Sequence, residues 1–323
     1  MKSIKLGRES GIVAALVIMI IVFALIDPIY LSSNNIVDIV KQSTINGLLG
    51  IGITLAIITG GIDLSIGSTF AIVIVSVGKL LVSGVNPFLA FAVGIMLGFS
   101  LGIVNGILVA KVKLQPFIAT LGTMSIYRGV AYIITGGWPV LDIPENFRQA
   151  LDGDIFGVIP SSVVLLFVVG IIIWIILKYT RFGNYIYALG SNEEATKLSG
   201  VDVDFNKMMA YAICGVGAAL AGMVLLARLG TGEPTAGQGY ELNAIAAAAV
   251  GGTSLMGGKG TMLGTILGTI LLSALRVGLI VVGVDSFWQY IATGIIIVIA
   301  ACFEIIQNKI SSIKVSRSKL SKV

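Results

Sequence analysis

A chain of 323 residues that is 56% hydrophobic and only 11% charged, with a mean hydropathy of +1.02, lies far from soluble domains, in which about a quarter of residues carry charge. This composition describes an all-α polytopic integral membrane protein built as a single domain over 1–323. Histidine is absent, which removes the usual proton shuttle, metal ligand and triad base. Cys214 and Cys302 fall in apolar runs without metal-ligand spacing, so they read as small core residues, and neither a metal nor a cofactor is expected.

In chain order, apolar runs cover roughly 12 to 26, 45 to 59, 66 to 82, 87 to 109, 115 to 134, 161 to 177, 208 to 227, 241 to 251, 261 to 282 and 288 to 307, or about ten transmembrane helices. The first follows Lys2, Lys5 and Arg8 and ends in Ile26-Asp27-Pro28 without a small-x-small cleavage pattern, so it reads as a retained signal anchor. The net charge of +5 is carried by loops rather than by a nucleic-acid-binding face. Basic residues gather at Lys111 and Lys113, through Lys178, Arg181, Lys197 and Lys207, and in the tail 308–323, whereas the 135–160 connection holds Asp142, Glu145, Asp152 and Asp154 against one Arg148. The positive-inside rule places the basic segments and both termini in the cytoplasm, and strict alternation of the crossings gives the same sides. Trp138 and Trp288 fall near the outer ends, where interfacial indoles concentrate.

Two spans break at glycine. TGGIDLSIGS at 59–68 and GGTSLMGGKG at 251–260 share a Gly-Gly followed by small polar residues, each joining an incoming span to a returning one. The match suggests a weak internal repeat, spans one to four over seven to ten, and paired breaks of this kind point to a transport site. Asp63 is costly beside hydrocarbon and needs a helix terminus, a partner or water. Either Asp63 or Ser65 caps the next helix, or Asp63 contacts a solute; Asp63, Ser65, Asn105 and Asn243 are the candidate path residues. Thr54 and Gln115 are further polar residues in or beside apolar runs that can bond neighbouring helices. Lys259 in GGKGT does not make a phosphate loop, because Thr253 and Gly260 stand where that pattern needs Gly and Ser or Thr. Gly94, Gly98, Gly102 and Gly106, like Gly264 and Gly268, make smooth stripes for close helix packing within one subunit.

The longest polar island, 178–207, writes one short capped helix of about two turns: Asn192 as N-cap, Glu193 and Glu194 on the first turn, Lys197 next, Gly200 at the end. It is either a solvated connection or a handle for a partner.

TGGIDLSIGS, VNGILVAKVKLQPFIATLGTM at 104–124, RFGNYIYALGSNEEATKLSGV at 181–201 and PTAGQGYELNAIAAAAVGGTSLMGGKGT at 234–261 together resemble the membrane permeases of sugar ATP-binding-cassette importers, and most of all their ribose-type branch. The resemblance runs through nearly the whole chain. It implies a bacterial inner-membrane permease, without a nucleotide site of its own, that imports a monosaccharide, ribose first and another sugar or an autoinducer-type solute second. It further implies a cytoplasmic ATPase, an extracytoplasmic sugar-binding protein and a second permease copy as partners. Within 181–207, Glu194, Ala195 and Gly200 are similar to the start of the loop through which such permeases dock on their ATPase; Thr196 replaces its second alanine and the usual I-x-L-P ending is missing. Glu193, Glu194, Ala195, Thr196, Lys197, Leu198 and Gly200 are therefore the expected ATPase-coupling residues. Two other classes share parts of the pattern: an ion-coupled carrier using Asp63 or Glu241, and a membrane-embedded enzyme, which lacks a nucleophile-base pair.

Overall fold

The computed structural model describes residues 8–155, 157, 159–285, 287–299 and 302; Lys2, Lys5 and the basic tail fall outside the described residues. Each apolar run is helical where described. The helices are α1 (Arg8–Ile26), α2 (Ser33–Ile58), α3 (Ile66–Val82), α4 (Pro87–Ala110), α5 (Pro116–Thr135), α6 (Glu145–Asp152), α7 (Ser161–Tyr179), α8 (Arg181–Ser191), α9 (Glu193–Leu198), α10 (Val203–Leu229), α11 (Tyr240–Val250) and α12 (Met262–Val281), followed by α13 (Phe287–Ile299). A two-residue hairpin, Asp154–Ile155 with Ile159–Pro160, interrupts the series. Five helices, α4, α5, α7, α10 and α12, are long and apolar enough to cross a membrane by length and composition. Local signals explain several starts: Pro87 and Pro116 occupy first-turn positions whose missing N–H costs nothing, and Asn86 caps α4 by accepting from the Phe88 N–H at 2.9 Å.

Helices α2, α3 and α10 form the buried centre, with Leu48, Ile53, Phe70, Val73, Ala218 and Leu226 fully enclosed. Around them α4, α5 and α7 turn large apolar side chains such as Met96, Ile126, Ile133 and Ile171 outward, the pattern of helices facing lipid. The first glycine stripe is an internal seam: Cβ atoms added at Gly98, Gly102 and Gly106 would collide with the α10 backbone at Gly215, Tyr211 to Ala212 and Met208. The second works likewise, Gly264 and Gly268 meeting Gly251 and Ala247. Thr54 spends its hydroxyl between helices, 2.8 Å from that of Thr265. Helix α1 packs on α12, with the Phe23 ring against Gly278 and the Tyr30 hydroxyl donating to the Ala274 carbonyl at 3.1 Å.

The loops sort into two ends. At one end Lys113 meets Asp204 at 2.5 Å, and both Lys113 and Lys207 reach Glu193. At the other, Val140 bridges Gly232, Lys41 pairs with Asp152 at 3.0 Å, and Arg148 donates to Ala227. Trp138 and Trp288 are both exposed. Helix α11 has 11 residues and rises about 16 Å, half of a hydrocarbon core of ~30 Å. The chain leading into it is not helical, and its carbonyls are held from within the protein: the Arg128 guanidinium donates to Pro234 and Ala236, both at 2.7 Å, and to Gly67 at 3.1 Å. Irregular backbone at membrane depth requires such an internal partner.

Candidate functional site

Both glycine breaks are built alike. After α2, Gly60 takes φ +79° while its N–H bonds Ile57 and that of Gly61 bonds Ala56; after α11, Gly252 takes φ +87° while its N–H bonds Ala249 and that of Thr253 bonds Ala248. Each is the six-to-one and five-to-two closure of a helix end. The two breaks also touch: the Gly258 N–H donates to the Ile58 carbonyl at 2.9 Å, and a Cβ on Gly257 would come within 2.9 Å of the Gly60 nitrogen. Helix α8 is wedged against both, its Gly190 pressed on Ile58 and Gly258 without room for a side chain. Tyr187 of α8 fastens the second break by donating to the Gly260 carbonyl at 2.7 Å, and burial pushes its phenol above the usual range.

Helix α9 follows α8 across one residue. Asn192 caps it, accepting from the Ala195 N–H at 2.9 Å, and Gly200 closes it at φ +82°, a left-handed position where an L side chain is strained. The seven expected coupling residues divide by face. Thr196 is buried with its hydroxyl on the Asn192 carbonyl, and Glu193 is tied down by Lys207 and Lys113. Glu194, Ala195, Lys197, Leu198 and Gly200 face outward, Leu198 being 88% exposed. A rigid base thus carries an uncovered apolar tip.

The four candidate path residues separate into two places. Asp63, Ser65 and Asn105 meet in a fully buried knot: one Asp63 oxygen accepts from the Ser65 N–H at 2.9 Å and its hydroxyl at 2.7 Å, and the Asn105 amide lies 3.3 Å from both oxygens. The Asp63 side chain therefore fixes the turn that leads into α3, and Ser65, at the N-cap of that helix, makes no side-chain cap bond to it. Thr120 of α5 adds a bond to the Ile62 carbonyl at 3.1 Å. Asn243 is elsewhere, on a cavity of about 220 Å³ between α2, α11, α12 and α13, which Asn46, Tyr240, Arg276, Gln289 and Tyr290 also line.

Residues 35–301 match a family model described as branched-chain amino acid transport system / permease component. The chain belongs to this permease family. The permease is 42% identical over 301 residues to the ribose import permease protein of Bacillus subtilis (strain 168), covering 93% of this chain and 92% of that one. It is 38% identical over 296 residues to the D-allose transport system permease protein of Escherichia coli (strain K12), covering 91% and 90%. Against the galactose/methyl galactoside import permease protein of the same organism it is 33% identical over 330 residues, covering 97% and 96%. No solved structure matches significantly.

Two arginines of the permease escaped the sequence reading. Arg128 and Arg276 each sit alone in an apolar run, and averaging over the run hides them; the signal that finds them is a single intramembrane cation, which calls for a named partner. Arg128 has three carbonyls. Among the described residues Arg276 has neither an ion pair nor a hydrogen bond, and it faces the cavity.

Proposed function

We propose that the permease is the membrane subunit of an ATP-binding-cassette importer that carries a monosaccharide, ribose first, into a bacterial cell by alternating access. A separate cytoplasmic ATPase supplies the work, and an extracytoplasmic binding protein delivers the solute. The observation that carries this reading is the seating of α8 and α9. The exposed tip of α9 offers Leu198 to a groove, its base is held by ion pairs, and α8 wedges directly against both glycine breaks. A push on α9 is passed through α8 to the end of α2 and to the second break, where Gly190 packs on Ile58 and Gly258.

The relatives named for ribose, allose and galactose support a monosaccharide as solute. In this reading 1–323 is one transmembrane domain, 181–207 and the basic tail 308–323 lie in the cytoplasm with both termini, and the end carrying 135–160 and 229–240 receives the binding protein. Two copies enclose the path. Asn243 lines its outer part, and Asp63, Ser65 and Asn105 shape it by fixing the first break. Co-purification in mild detergent tests the docking surface: Leu198→Asp and Glu194→Lys keep wild-type levels in the membrane and lower recovery of the ATPase at least ~10-fold, a loss of about 1.4 kcal/mol. Undiminished recovery of the ATPase with both variants contradicts the assignment.

A further inference from the structure

The cavity between α2, α11, α12 and α13 brings together groups that the fold does not use. Asn243, Arg276 and Gln289 line it, and among the described residues their side chains have no hydrogen-bond or ion-pair partner. They come from three different helices and face one space of about 220 Å³, far above the ~15 Å³ that a single water needs. An arginine on a membrane helix without a carboxylate is costly unless something polar occupies the space in front of it. Tyr240 and Tyr290 add two aromatic rings, and Leu272 and Leu275 an apolar wall.

We propose that this cavity is a solute site of the permease itself, selective for an uncharged polyhydroxylated ring of monosaccharide size. The guanidinium offers parallel donors to two neighbouring hydroxyl oxygens, the Asn243 and Gln289 amides both donate and accept as hydroxyls require, and a tyrosine face covers the C–H side of a sugar ring. The lining holds one cation and no second one, so a phosphate or carboxylate would find half of the usual clamp and a row of amides that neutral hydroxyls satisfy better. The Gln238 to Asn243 side of the cavity adjoins the irregular chain that Arg128 holds, with Gly237 packed against Gly67.

The proposal rests on reading the permease as a sugar importer, and two measurements keep the two apart. The purified permease in lipid nanodiscs, without ATPase or binding protein, is titrated with D-ribose, D-allose, D-galactose and inorganic phosphate. Saturable binding of at least one sugar is expected, weakened ~10-fold or more by Arg276→Gln and, separately, by Asn243→Leu, with both variants eluting as the wild type does. No saturable sugar binding by the wild type, unchanged binding by both variants, or displacement of the sugar by inorganic phosphate overturns the site. ATP-driven uptake of the same sugars by the complete importer is measured in parallel. Uptake without a site in the permease sinks this inference alone, whereas no uptake of any of them sinks the importer reading with it.

Discussion

The Asp63 knot and the Arg276 cavity are two places where this permease puts strongly polar side chains among its membrane helices, and they are built on opposite rules. In the knot the carboxylate takes hydrogen bonds from the backbone and hydroxyl of Ser65 and from Asn105, all of them buried. In the cavity the side chains of Arg276, Asn243 and Gln289 have no partner among the described residues. A buried polar group bonded inside the protein fixes backbone, here the end of one helix and the start of another; one left open toward a space is available to a solute. The difference shows why a charged residue inside a membrane protein is not by itself evidence of a transport site.

Substitutions separate the two rules. Asp63→Leu strands three donors in the knot and is expected to cost about 3 kcal/mol, read as a large fall in the thermal midpoint of the detergent-solubilised permease. Gly102→Leu forces a side chain into the α10 backbone and costs about 2 kcal/mol, a smaller fall by the same assay. Arg276→Gln removes no internal bond, so its midpoint stays within about 0.5 kcal/mol of wild type although its sugar binding is weakened. A fall for Arg276→Gln as large as that for Asp63→Leu would erase the distinction between the two regions.

Much of this was legible in the residues. The apolar runs mark the helices because hydrocarbon demands a continuous apolar surface, and Asn192 with Gly200 marks α9 because capping chemistry is local. The Gly-Gly pairs mark both breaks for the same local reason. Besides Arg128 and Arg276, three features were hidden. Helix α2 begins at Ser33, more than three turns ahead of its apolar run, because Asn35, Asp38 and Lys41 lie on a helix stretch that reaches the loop end of the molecule. Helix α8, Arg181–Ser191, was masked by Gly183 and Gly190, whose purpose is close packing and not a turn. The separation of Asn243 from Asp63, Ser65 and Asn105 depends on how α11 and α4 are placed in three dimensions, which no spacing along the chain encodes.

The central claim is that the permease is a conduit moved from outside, through α9, by a separate ATPase. Uptake of D-ribose into proteoliposomes tests it most directly, comparing the permease alone, under proton and sodium gradients, with the permease joined by its ATPase and binding protein. The account predicts ATP-dependent accumulation only in the complete assembly. Concentrative uptake by the lone permease on an ion gradient would contradict it.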